Sequence, residues 1–361
     1  MNRVQHLVRR TGERLVGRFP GLFQSFWGRR LIRFVKRRVG LDQPSKVLER
    51  SDHFAALLRD RKTGLQHRQN MGVSSAAVEV AAIDASNLEI VVCTAFAGRH
   101  DCVKFLADEI IAASDRIGLV LCGSDEEDSK LIESLSRRCP RIGGIFHPNR
   151  PLGMKWQAVM DAARAMTDAS IYGIVGSDDL PSAKLLRMVQ RWAVEPCGEK
   201  TSRGLIAPME WLVWDVGETS TTSPGIFRLN YRLESQFQPI GAGRFYFREA
   251  LDACDWVLFD VDKNRNLDDL GFAQMLYHER AVQLYSVEDG PLVSLKGDWS
   301  QLNPLSAILE ATTVDSHEYS FEGASLIREA FAAESIQGLL GSTRAAERPM
   351  SLPTDVPAKT E

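Results

Sequence analysis

The chain has 361 residues, a net charge of −3 and an apolar content of 44%, enough for one large domain with an appendage or for two modest domains. No run of 18 or more apolar residues occurs, so no membrane-spanning helix is expected. No compact apolar stretch with a small-residue cleavage site follows the basic N-terminus, which argues against a secretory signal.

Charge is divided unevenly. Residues 1–70 hold 17 Lys and Arg against 5 Asp and Glu, a net of +12, which leaves −15 on the remainder. A basic arm on an acidic body points to an anionic partner for the arm. In residues 1–40, Leu15, Phe19, Leu22, Phe23, Phe26, Trp27, Leu31, Phe34 and Val35 recur at helical spacing, opposed by Arg29, Arg30, Arg33, Lys36, Arg37 and Arg38. Such a segment suits a helix lying in a membrane interface, or equally a helical pair packed on the body with a solvated basic face. No nucleic-acid module accompanies it, so no nucleic-acid partner is expected. Residues 41–87 read as a helical linker ending in a small-residue stretch, Gly72 to Ser86, and 341–361 as a disordered tail rich in Ser, Thr, Pro and Ala.

Between them, residues 88–340 read as one α/β domain. Leu88–Thr94, Ile117–Cys122, Ile142–His147 and Ile171–Val175 are short apolar runs that predict buried strands. Phe105–Ala113, Asp128–Arg137 and Met154–Met166, which lie between them, predict helices. This alternation predicts a mostly parallel sheet with helices on both faces, which binds ligands at the carboxyl ends of its strands. The six cysteines are scattered without a C-x-x-C pair and read as reduced core thiols. His100, His147 and His278 lack partners at ligand spacing and read as structural or exposed.

The sharpest motif is Gly176-Ser177-Asp178-Asp179, directly after the fourth strand. Paired carboxylates there suit a hard divalent cation such as Mn²⁺ or Mg²⁺. They suit equally a turn in which Asp179 caps a helix starting near Pro181. Upstream, Asn149, Gly153 and Lys155 lie around a helix N-terminus, a setting that favours phosphate, although Asn149 and Gly153 suit a plain turn equally.

N-x-P-L-G-x-K-W followed some twenty residues later by G-S-D-D resembles glycosyltransferase family 2, of the GT-A fold, over roughly residues 88–300. The resemblance implies a metal at Asp178 and Asp179 that neutralises the diphosphate of a nucleotide-sugar donor. It departs at Gly176, where many members carry Asp. It further implies a nucleotide-holding loop at Thr94, Phe96 and Arg99, and a base contact at Asp125. Ser177 falls in the donor site. Gly241–Leu251 resembles the family's Gly-rich strand with a following Arg, and Asp268-Asp269 its acidic pair, with Asp269 the expected catalytic base and Asp268 the alternative. Val293–Trp299 stands where the family has its closing loop, offering Lys296 to the diphosphate and Asp298 to the metal.

The expected activity is therefore inverting, metal-dependent transfer of a sugar to a glycan or a lipid-linked acceptor. The expected location is the cytoplasm, at the inner face of a membrane where residues 1–40 bind one. A nucleotidyltransferase is a competing expectation, although Thr94–Arg99 is poor in the glycines and cations that a triphosphate requires. A non-catalytic membrane-surface or scaffold protein, with its acidic pairs serving as caps, is another.

Overall fold

The computed structural model describes residues 77–194, 203–215, 226–231, 241–264, 267, 269–296, 312–314 and 321–331. All fall within the compact unit Arg61–Glu361. The basic segment 1–40, most of the expected linker and the expected tail lie outside the described residues.

The core is a sheet built from the apolar runs. Strands β2 (Ile90–Ala95), β3 (Ile117–Gly123) and β5 (Ile171–Ile174) are buried along their whole lengths, and β4 (Ile142–Phe146) along all but its last residue. Continuous rather than alternating hydrophobicity is what a parallel strand covered on both faces needs. β2 pairs in parallel with β3 and β5, and β3 with β4. An antiparallel strand β1 (Val78–Ala81) closes one edge on β4. It lies inside the small-residue stretch that ends the expected linker.

Helices α1 (His100–Ala113), α2 (Glu126–Arg138) and α3 (Leu152–Met166) connect these strands. Right-handed crossovers to β3 and then β4 place α1 and α2 on one face of the sheet; the return across the sheet to β5 places α3 on the other. α3 packs on β2, β3 and β4, and α1 meets α2. The Rossmann-like α/β plan expected from the sequence is therefore present.

Beyond β5 the chain makes a three-residue strand β6 (Asp179–Pro181) and then α4 (Ala183–Val194). The expected helix near Pro181 starts two residues later. Its cap is Ser182, whose hydroxyl accepts from the Leu185 amide at 3.1 Å. Asp179 is thereby released from the capping role open to it in the sequence. Strands β7 (Arg203–Pro208), β8 (Glu210–Asp215), β9 (Ile226–Tyr231), β10 (Arg244–Phe247), β11 (Ala281–Tyr285), β12 (Leu292–Lys296) and β13 (Thr312–Val314) complete two sheets. The first runs β1-β4-β3-β2-β5-β10-β7-β11, with β1 and β10 antiparallel to their neighbours. The second runs β13-β9-β8-β12-β6, and β8 buries Trp211 and Trp214 there. Helices α5 (Arg248–Ala253), α6 (Asp269–Tyr277) and α7 (Phe321–Ala330) follow β10, precede β11 and follow β13.

Cys93, Cys102, Cys122, Cys139 and Cys254 are buried free thiols, and burial pushes Cys102 and Cys122 up to about 12. They act as small hydrophobes. Among the described residues no helix is long and apolar enough to cross a membrane.

One buried carboxyl group joins α1 to α4. Glu109 is 5% exposed, and its Oε2 accepts from the Ala183 amide at 3.1 Å. Burial raises its pKa to about 7, against the opposing help of that amide. Because the folded value lies above the ordinary 4.5, the stability linked to this group is complete below pH 4.5 and is lost as pH rises to 7. Glu109→Gln keeps the acceptor and cannot ionise. Its melting temperature should gain on the wild type between pH 4.5 and pH 7 and run parallel above that window; a pH-independent difference in thermal melts would contradict this origin.

Candidate functional site

Strand order reverses between β2 and β5, because the chain builds β3 and β4 to one side of β2 and then returns to the other. At such a point the connections leave in opposite directions and open a crevice beyond the carboxyl ends. The crevice is stitched from below. The Thr94 hydroxyl donates to the Val175 carbonyl at 3.0 Å, and the Val175 amide to the Cys93 carbonyl at 3.1 Å. Thr94, expected at the donor, is fully buried and holds the two strand ends together.

The loop after β2 is held from the neighbouring strand by a residue that the sequence did not single out. Asp128, fully buried in the first turn of α2, accepts from the Gly98 amide at 3.0 Å, the Ser124 amide at 2.8 Å and His100 Nε2 at 2.8 Å. Asp125, expected at the nucleotide base, is the cap of α2 and accepts from the Asp128 amide at 2.8 Å. His100 and His147 are structural, the latter buried with Nδ1 2.8 Å from the Pro148 carbonyl.

Lys155 has a similar tying role. It is fully buried, and its Nζ donates to the Phe96 carbonyl, to Ser124 Oγ and, at 3.3 Å, to Asn149 Oδ1. These three acceptors match the three donors of an ammonium group. Burial pushes its pKa down, with Asp128 and Asp125 among the groups that oppose the shift. Lys155 therefore binds the loops after β2, β3 and β4 to one another, with Phe96 and Asn149 as partners. The N-terminus of α3 is also engaged by protein. The Leu152 amide donates to Asn264 Oδ1 at 2.9 Å and the Gly153 amide to the Lys263 carbonyl at 2.9 Å. A Cβ at Gly153 would lie 1.9 Å from the Asp260 carbonyl oxygen, so glycine is required there for close backbone approach. Asn149, Gly153 and Lys155, expected at phosphate, thus all take part in anchoring these loops.

The remaining expected residues do converge. β12 pairs with β6 in a register that sets Ser294 opposite Asp179, and the Leu295 amide donates to the Asp178 carbonyl at 2.7 Å. What had been expected as a closing loop is this strand up to Lys296. Its end delivers Lys296 Nζ to Asp178 Oδ2 at 2.8 Å. From the other side Arg99, in the left-handed conformation at φ 54° before α1, brings Nη1 to 3.2 Å from both Asp178 Oδ1 and Ser177 Oγ. Asp178 therefore has one cation at each carboxylate oxygen. Burial works to raise its pKa, but Lys296 and Arg99 outweigh burial and hold the carboxyl below its ordinary range.

Asp179 turns away from this cluster and accepts a hydrogen bond from Ser294 Oγ. Burial, and then the charge of Asp178, raise its pKa to about 6. A Cβ on Gly176 would lie 2.4 Å from Asp179 Oδ2. A side chain at Gly176 would therefore force the Asp179 carboxyl group to move.

The described residues do not fit a divalent cation. Among them no three His, Cys, Asp or Glu side chains gather at ligand distance. The Asp178 oxygens face an ammonium and a guanidinium, and Asp179 is directed to Ser294. A divalent ion at Asp178 would meet two like charges, each already within 3.2 Å of the same carboxylate. Asp298, the third expected ligand, and Asp268 lie outside the described residues. Asp269 is half-buried in the first turn of α6. The loop before α6 is fixed to α3 through Gln157, whose Nε2 donates to the Trp256 carbonyl at 2.8 Å and whose Oε1 accepts from the Leu258 amide at 3.2 Å.

No family model and no curated protein matches the chain. Among solved structures it is similar to a fragment of S. aureus TarS, with 13% identity and a TM-score of 0.40 over 58% of this chain and 60% of that one. It is also similar to CMP:2-keto-3-deoxy-manno-octonic acid synthetase complexed with CTP, with 8% identity and a TM-score of 0.34 over 55% of this chain and 89% of that one. A cytidylyltransferase from Leptospira borgpetersenii serovar Hardjo-bovis shows 8% identity and a TM-score of 0.32, over 55% and 76% of the two chains. The chain spans less than two thirds of the TarS fragment. TM-scores this low carry no weight for function, which is read from the crevice itself.

Asp128 is the residue whose loss should disturb this crevice most without touching Asp178. Asp128→Ala strands the half-buried Gly98 and Ser124 amides, and should cost about 2–4 kcal/mol in urea unfolding. Asp128→Asn, which keeps one acceptor oxygen, should cost clearly less. Equal losses for the two variants would mean that the hydrogen bonds to the loops are not what Asp128 contributes.

Proposed function

We propose that the protein is a glycosyltransferase that uses a nucleotide-sugar donor and inverts the anomeric centre. The observation that carries this reading is the convergence of Arg99, Ser177, Asp178 and Lys296 on the crevice where the strand order reverses. A doubly wound sheet offers its ligand site there. Cations paired around an acidic motif suit a ligand that combines phosphate charge with hydroxyl groups. The family resemblance of N-x-P-L-G-x-K-W and G-S-D-D supplies the identity of that ligand.

In this reading the donor diphosphate faces Arg99 and Lys296, with Ser177 beside them. The acceptor hydroxyl attacks the anomeric carbon. A new carbon–oxygen bond forms as the bond to the diphosphate breaks, and its electron pair leaves on the phosphate oxygen. The hydroxyl proton passes to Asp269, placed in the first turn of α6 where the helix N-terminus favours its carboxylate. The acceptor is a glycan or a lipid-linked sugar. The basic, aromatic residues 1–40 would hold the enzyme against an anionic membrane surface that carries such an acceptor. A nucleoside-triphosphate reaction is disfavoured by the loop Thr94–Arg99, which offers one glycine and one cation.

Titration calorimetry with UDP, GDP, CDP and the corresponding nucleotide sugars should reveal one preferred nucleotide. With the matching donor and a mixture of glycan and lipid-linked acceptors, Asp269→Asn should leave donor affinity unchanged and slow release of the nucleoside diphosphate by about 10²–10⁴-fold. If no nucleotide binds under any condition, the protein is not a transferase of this type and the scaffold reading takes its place.

A further inference from the structure

The site departs from the family expectation at the metal, and the departure has a chemical consequence. We infer that Arg99 and Lys296 take the place of a divalent cation, so that the donor diphosphate is bound and stabilised as a leaving group by an arginine–lysine clamp. This rests on the nucleotide-sugar reading above and specifies how that donor is held.

Three observations lead there. First, both cations already grip an anion. Lys296 Nζ sits 2.8 Å from Asp178 Oδ2 and Arg99 Nη1 3.2 Å from Oδ1, so one carboxylate is held by a different cation at each oxygen. A phosphoryl group presents the same edge of two oxygens sharing negative charge, and guanidinium and ammonium groups are its common partners. One ammonium with three donors and one guanidinium with five carry more hydrogen-bonding capacity than a single carboxylate uses.

Second, the clamp is built by the fold. Lys296 is the last residue of β12, and its side chain is only 7% exposed. The pairing of β12 with β6 and with β8 sets its position. Arg99 is placed by its left-handed backbone and by the loop anchored on Asp128. Third, the partner that a metal would need is engaged elsewhere. Asp179 is hydrogen-bonded to Ser294 in the strand register that also positions Lys296. The same pairing thus turns the second carboxylate away and brings a cation in.

Asp178 then serves as a counter-ion that holds the two cations together, and it competes with the phosphate for them. In a metal site the same residue would be indispensable for binding the anion. The two arrangements therefore predict opposite effects of one isosteric change.

The test is titration of the full-length protein with pyrophosphate and with UDP, GDP and CDP, in EDTA and in Mn²⁺. The wild type should bind at least one nucleoside diphosphate in EDTA, with Mn²⁺ changing affinity by less than about threefold. Lys296→Met and Arg99→Gln should each weaken that binding by about tenfold or more, the loss of one charge-assisted contact. Asp178→Asn should bind as tightly as the wild type or tighter. Circular dichroism of each variant checks folding; Arg99→Gln, at a half-buried position outside the strands, keeps the test open if Lys296→Met fails to fold. Binding that requires Mn²⁺ and disappears in Asp178→Asn would overturn the clamp and leave the transferase reading standing. Absence of binding in both buffers would remove that reading and the clamp with it.

Discussion

An aspartate at the end of a buried strand stays ionised only if something compensates its charge, and the crevice of this protein is arranged around that requirement. Asp178 follows β5 in an environment that disfavours a free carboxylate, and Lys296 and Arg99 supply the compensation from two different directions. Removing both cations would leave a buried charge uncompensated, which costs far more than such pairs gain by forming. The loop after β2 and the strand β12 are thereby tied to the same carboxylate. Because β12 belongs to the second sheet and β2 to the first, this one ion cluster makes the geometry of the crevice depend on both.

The supporting layer uses buried charge in the same way. Asp128 accepts from two backbone amides and an imidazole, and Lys155 donates to a carbonyl, a hydroxyl and an amide oxygen. Both are fully buried, and each finds enough partners to satisfy it. Their common product is a rigid set of turns after β2, β3 and β4. Rigid turns hold Arg99 in a left-handed backbone conformation that a non-glycine residue adopts only when its surroundings impose it. The polar residues around the crevice thus divide into those that make the turns and those that do not. Arg99, Ser177 and Lys296 are not among the turn-makers; they gather on Asp178 and on one another.

Much of the sheet was legible in the sequence. The four apolar runs became β2 to β5 with boundaries shifted by a residue or two, because a strand buried on both faces has to be apolar throughout. The site was legible in part. Arg99, Ser177, Asp178 and Lys296 were recognised and do meet. Thr94, Asp125, Asn149, Gly153 and Lys155 were recognised for their type and position, yet the fold uses them to join strand ends, cap a helix or anchor loops. Asp128 was passed over, since in sequence it is one of four neighbouring acids in Asp125-Glu126-Glu127-Asp128. Only its place on the inward side of the first turn of α2 separates it from the two exposed glutamates.

What the sequence determined by itself was the class of the fold and the end of the sheet where the charged residues gather, because both follow from local hydrophobic periodicity and from the polar residues that interrupt it. Tertiary structure alone decided which charges pair. Asp178 and Lys296 are 118 residues apart, and Asp178 and Arg99 are 79 apart. Their meeting depends on the register of β12 against β6 and on the backbone turn before α1. A shift of one residue in that register would turn Lys296 to the other face of its strand. No local pattern records such a pairing, and on it depends whether the acidic motif offers its oxygens to a metal or, as the described residues have it, to two cations of the protein itself.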